Sequence, residues 1–231
     1  MRLRYGLLLF AFCLWAAAKP VAAQTQAPPT QLATTFLPPG QPAPAALELP
    51  VLVPPTPLLL PAPLPLKDKS KLYRAAYLDT YHILSTPNPC SEFFGGRVAL
   101  IALNELAAQL TMSTFADSHI GMRMTGPTTI VHLNSTGQTY RRFAQAALNR
   151  TGSFFQDNNG STHAAIPRVG SFAPNTRPAR VLILLHELAH LIRRDDQQWL
   201  IPNDGLDEAQ SERNTALVEA VCGAELTALA P

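Results

Sequence analysis

Little of this 231-residue chain is charged: 15% of its residues are Asp, Glu, Lys or Arg, and the formal net charge is +2. The scarcity is uneven. Residues 24–66 hold one charged residue, Glu48, beside 13 prolines. Residues 67–231 hold 15 Lys+Arg and 15 Asp+Glu once Arg2, Arg4, Lys19 and Glu48 are set aside. A balanced domain offers no basic face, so no nucleic acid and no anionic membrane is expected as a partner. Internal repeats are absent. The apolar run that opens at Leu7 is too short to span a bilayer comfortably.

That run has another use. Arg2 and Arg4 precede Leu7–Trp15, and Val21-Ala22-Ala23 supplies small residues at a cleavage site. Residues 1–23 therefore read as a secretory signal peptide cut before Gln24, which predicts a secreted, periplasmic or cell-envelope protein with no stable membrane span after cleavage. Residues 24–66 read as a Pro-rich linker. Proline removes amide donors and fixes φ, so helix and sheet give way to extended polyproline II. Leu49–Leu66 is also rich in Leu and Val. It is either a semi-rigid tether or a strand of chain laid along an apolar groove of its own domain.

Three cysteines become two once the signal is removed, Cys90 and Cys222. In an oxidising compartment an even pair predicts a disulfide, here closing a long loop between the start of the domain and its last helix. Residues 67–231 form one domain long enough to bury a core. Apolar spacing predicts helices over 69–83 and 98–110, and Thr128–Asn134 reads as a strand. Tyr140–Asn149 reads as a further helix. Arg177–Arg194 reads as a helix capped by Asn175 or Thr176, with Pro178 in its first turn. Val181–Leu185 is apolar all round, so this helix belongs inside the protein. A last helix is expected over 206–226.

The interior helix carries His186-Glu187-Leu188-Ala189-His190, an HExxH motif. Histidines four apart lie one above the other on a helix, close enough for both imidazoles to meet one ion. Glu187, about 100° round the helix, reaches a water on such an ion without ligating it. A helix this apolar has little reason to bury two His and a Glu unless something satisfies them.

In this motif the sequence resembles the zincin metallopeptidases, over His186–His190 only. The resemblance implies an α+β, zincin-like, mostly helical domain with a small β-sheet flanking the HExxH helix. It implies Zn2+ held by His186 and His190, Glu187 as catalytic general base, and a peptide or protein substrate. Zinc in such a site lowers the pKa of its water to about 7. The patterns of the subfamilies are missing. Arg193 stands where metzincins have a glycine, with Asp196 at their third-ligand position, and no N-E-x-x-S-D motif follows.

The third ligand is sought on or before the last helix. With its apolar face centred on Leu217, Leu206, Gln210 and Val221 fall beside it, with Asn214 and Asp207 at the flank. Glu208, Glu212 and Glu219 fall on the opposite, solvated side. Asp204, in the turn Pro202-Asn203-Asp204-Gly205, is therefore the favoured ligand ahead of Asp207, Glu208, Glu212 and Asp196. Gln210 and Asn214 suggest hydrogen-bonded support to the ligand histidines. His132, Tyr140 and His163 are candidates for polarising a substrate carbonyl, and each has an ordinary structural reading. A binding module without turnover, on the same metal-holding core, is the competing functional reading. Asn134, Asn149 and Asn159 begin N-glycosylation triplets, which matter only in a eukaryotic source.

Overall fold

The protein's structure is a computed structural model that describes residues 59–158, 165–205 and 207–230. The signal-peptide reading of 1–23, the linker up to residue 58, His163 and Asn159 lie outside the described residues.

Five helices and one small sheet make up the described part, an α+β arrangement. The helices are α1 Lys71–Ser85, α2 Pro89–Phe93, α3 Arg97–Gln109, α4 Arg177–Ala189 and α5 Glu208–Thr227. The starts of α1, α2 and α5 are chemically marked. Ser70 caps α1 by accepting from the Tyr73 amide. Asn88 and Ser91 close a reciprocal capping box on α2, with Pro89 in its first turn. Asp207 caps α5 through the Gln210 amide.

The strands are β1 Leu110–Ser113, β2 Met122–His132 and β3 Thr139–Asn149. Their order is β1-β3-β2, with β1 parallel and β2 antiparallel to β3. The helix expected at 140–149 is thus a central strand. Its Ala, Gln and Leu content favours helix, but β2 pairs along one side, and β1 and the chain after α4 pair with its two ends on the other, which supplies backbone partners that a helix would have found internally. Alternation decides the face, with Ala146 and Leu148 buried. The strand expected at 128–134 instead starts six residues earlier. It carries an irregularity between Thr125 and Thr128, at Gly126 (φ +82°) and Pro127.

α3 carries the sheet, while α4 lies between α1 and α5. Val181, Leu182, Leu184, Leu185 and Leu188 are each at most 1% exposed, so α4 is the interior helix its composition required. Its N-terminus is tied to α1 by a bidentate Arg177–Asp79 pair at 2.7 Å. Cys90 and Cys222 form a disulfide joining α2 to α5. The last stretch of the Pro-rich tract, Leu59–Leu66, lies on α1 and α3, with Leu64 and Leu66 packed against the core. For these residues the groove reading holds.

Candidate metal centre

α4 is positioned by its start. Thr176 accepts from the Ala179 amide, Asn175 takes a left-handed φ of +60°, and Arg180 reaches back to Asn175 Oδ1 at 2.6 Å and Phe154 O at 3.0 Å. Three turns on, the helix delivers His186 and His190, 7% and 3% exposed. It then stops, five residues short of the expected Arg194. His190 is its C-cap, and Leu191–Arg193 pairs with the start of β3 through Arg141 N to Leu191 O (2.7 Å) and Arg193 N to Thr139 O (2.9 Å). Arg141 also donates its Nε to the His190 carbonyl at 2.7 Å, and its guanidinium stacks on Trp199 at 4.4 Å. A cation on the last carbonyls of a helix is favourable to its dipole.

Asp204 arrives from the turn before α5. Its Oδ2 lies 3.1 Å from His186 Nε2 and 3.3 Å from His190 Nε2, and the two Nε2 atoms are 3.2 Å apart. These three donor atoms form a nearly equilateral triangle in a buried setting. A tetrahedral ion with bonds of about 2.0–2.1 Å spaces its ligands by about 3.3 Å, so the triangle has the size of one face of such a site. Two imidazoles and one carboxylate are also a donor set that suits zinc. Among the described residues this is a group of three that can hold a cation.

The surroundings orient the set. A ligating Nε2 puts the imidazole proton on Nδ1, and His186 Nδ1 meets Thr215 Oγ1 at 2.9 Å. Asn214 Nδ2 donates to Asp204 Oδ2 at 3.2 Å and to Pro202 O at 2.9 Å, while Gln210 Nε2 holds Asn214 Oδ1 at 2.8 Å. The expected role of Gln210 and Asn214 is thereby relocated: their support goes to the carboxylate, and Thr215 serves the histidine. His190 Nδ1 is buried with no protein partner among the described residues, and the bond from Arg141 holds the backbone of this residue and not its ring.

Charge in the cluster is split. Burial pushes the Asp204 carboxyl up, but hydrogen bonds from His186 and His190 outweigh it and hold the group below the usual carboxylate range. Burial pushes the half-buried Glu187 carboxyl the other way, above its ordinary value. His186 and His190 oppose that rise, and Asp204 adds to it. The Glu187 carboxyl makes no hydrogen bond to a described residue. Asp204 is thus held in its charged form, while burial works against the charge of Glu187.

The other candidates fall elsewhere. Asp207 is spent on the α5 cap. Glu208 is exposed and pairs with His119 at 3.0 Å, Glu212 is exposed, and Asp196 accepts from the Gln198 amide in a surface turn. Glu219, placed among solvated glutamates by the sequence, instead accepts from the backbone and hydroxyl of Ser171. Tyr140 is 2% exposed and gives its hydroxyl to Glu105 at 2.8 Å; His132 pairs with Thr139 at the hairpin end. Asn149 is 0% exposed and bonds Ile120 O and Asp117 O, so it is a structural residue and not a glycan acceptor.

Thr215 and Arg141 escaped the sequence reading. The error for Thr215 lay in phasing α5 on Leu217, which is 44% exposed. The inward face carries Asn214, Val218 and Cys222. Had Cys222 set the phase, as its disulfide demands, Val218 and Thr215 would have followed one and two turns back. A cleft of about 550 Å³ is lined by Phe93, Gly95, Gln138, Arg193, Asp196 and Leu200 among others, and none of His186, Glu187, His190 or Asp204 lines it.

No protein-family model, curated protein or solved structure matches this chain.

Proposed function

We propose that this protein is an exported zinc-dependent hydrolase, acting on peptide bonds, built on a zincin-like plan. The observation that carries the reading is the convergence of His186 Nε2, His190 Nε2 and Asp204 Oδ2 within 3.1–3.3 Å, one residue from an unpaired carboxyl. Bound zinc would supply Lewis acidity and a water whose pKa falls to about 7. The residues' own parts follow from their surroundings. His186, oriented by Thr215, and Asp204, oriented by Asn214, hold the ion. Glu187, beside the ligand His186 and raised by burial, is the group that accepts and returns the proton. Export rests on the signal reading of residues 1–23.

The test is Glu187→Gln in metal-loaded protein assayed against a broad peptide library. Retained metal with hydrolysis reduced by roughly 10²–10⁴-fold supports the base assignment, and unchanged turnover refutes it. A second reading, a metal-binding envelope module without turnover, is favoured by one observation: the 550 Å³ cleft is not lined by the four site residues. Wild-type protein that binds zinc tightly and cleaves nothing in the library would select it.

A further inference from the structure

Residues 59–66 do more than end the Pro-rich tract. In Leu59-Leu60-Pro61-Ala62-Pro63-Leu64-Pro65-Leu66, the half-buried positions are Pro61, Leu64 and Leu66, while Leu59, Ala62, Pro63 and Pro65 are exposed. The Pro61–Leu64 interval of three is one turn of polyproline II, so one edge of such a helix faces the protein. That helix has no internal hydrogen bonds, and its backbone groups are free for a partner to take. Here they are taken by side chains of α1 and α3. Tyr81 Oη donates to Pro61 O, Asn104 Nδ2 donates to Ala62 O at 2.9 Å, and the Leu64 amide donates to Tyr77 Oη at 2.6 Å. Tyr77 Oη in turn donates to Asn104 Oδ1 at 2.6 Å, which orients both readers. Tyr77 is 1% exposed, so its hydroxyl is presented by a fixed ring. Tyr77 and Tyr81 sit one helical turn apart, their ring centroids 6.3 Å from each other.

Between Pro61 and Pro65 only Ala62 and Leu64 have an amide to offer, and the protein engages that of Leu64. Incidental packing of a linker predicts scattered apolar contact. Three side-chain bonds to the backbone of Pro61, Ala62 and Leu64, on an aromatic wall, are instead how proline-rich peptides are read. The segment ends abruptly at Leu66, whose φ of +38° is a conformation L-residues rarely adopt, held by Lys69 N to Leu66 O at 3.2 Å.

We propose that the α1–α3 face is a recognition groove for a proline-rich peptide in polyproline II, read by Tyr77, Tyr81 and Asn104, with residues 59–66 of the same chain as its resident ligand. The site is separate from the metal centre and does not depend on it. Its preferred pattern is Pro-Ala-Pro-Leu. The chain offers a built-in comparison, because Pro42-Ala43-Pro44 repeats the triplet of Pro61-Ala62-Pro63 but continues with Ala45 where the groove holds Leu64.

The test uses the whole secreted chain carrying Pro61→Ser, Pro63→Ser and Pro65→Ser, titrated calorimetrically with a synthetic peptide of residues 59–66. Binding at one peptide per chain is expected. A tenfold or greater loss is expected with Tyr81→Phe or Asn104→Ala added, and with a peptide of residues 40–47 in place of 59–66. Wild-type chain should take up the peptide at least tenfold more weakly, because its own segment competes at millimolar effective concentration. Absence of binding to a folded triple variant, or equal binding of a peptide with serine at every proline, overturns the proposal. Should the triple variant not fold, hydrogen exchange at the Leu64 amide reads the same contact in Tyr77→Phe. At least tenfold faster exchange is expected there, and an unchanged rate overturns the proposal.

Discussion

Asp204→Ala separates a metal ligand from an ordinary turn residue. Structural zinc sites with four ligands bind with about 10–16 kcal/mol, so one ligand carries roughly 3 kcal/mol, which is about 10²–10³-fold in affinity. The loss should approach that range here, because the replaced oxygen is equidistant from both imidazoles and nothing in the Pro202–Gly205 turn substitutes for it. The fold should survive with only a modest cost in metal-free Tm. Asp204 sits in a loop, and Asn214 keeps its bond to Pro202 O. The measurement is zinc competition against a chromophoric chelator, with the zinc-dependent rise in Tm as a second readout, since an ion that binds only the native state must stabilise it. Asp207→Ala is the matched control three residues away. Losing that cap should cost about 1 kcal/mol of stability and leave zinc affinity unchanged. An Asp204→Ala protein that binds zinc within threefold of wild type would refute the ligand assignment, and with it the meaning given to the triangle of donors.

Thr215→Val should weaken zinc binding by about 10–100-fold in the same competition assay, by freeing the His186 ring, with little change in metal-free Tm. Metal-free stability should respond to the two carboxyls with opposite sign. Glu187, raised above its ordinary 4.5, destabilises the fold when ionised, so its contribution is least unfavourable below that value and worsens as pH rises. Glu187→Gln should therefore raise the metal-free Tm at pH 7 and not at pH 3.5; a lower Tm at pH 7 would contradict the burial argument. Asp204, held below its ordinary 3.8, contributes stability that is complete above that value and drains as pH falls further, so the Tm cost of Asp204→Ala should shrink in acid. Reducing the Cys90–Cys222 bridge, which spans a sequence separation of 132, should cost about 5 kcal/mol by loop-closure entropy, read as a lower denaturation midpoint.

What was legible in the sequence was local. Thr176 and Pro178 mark the start of α4, its apolar run marks it as interior, and the four-residue spacing of His186 and His190 sets two imidazoles on one face. Those facts follow from covalent geometry and helical period alone. Asp204 was favoured by eliminating the glutamates of α5, but that elimination used a face centred on the exposed Leu217, so its geometric premise does not hold. The disulfide was reachable from parity. Where distant partners compete with local preference, the sequence misled. Residues 140–149 have the composition of a helix, yet two neighbouring strands and the chain leaving His190 supply backbone partners that local propensity cannot weigh. The same pairing ended α4 at Ala189, with no glycine or proline to announce it.

Tertiary structure alone decided the rest. It chose which face of α5 turns inward, through Cys222 and not through the exposed Leu217. It gave His186 the hydroxyl of Thr215 and laid the proline tract's last residues across Tyr77, Tyr81 and Asn104. Each of these is a meeting of residues far apart along the chain. Spacing in sequence fixes which side chains share a helix face, but only the packing of one element on another fixes what that face meets.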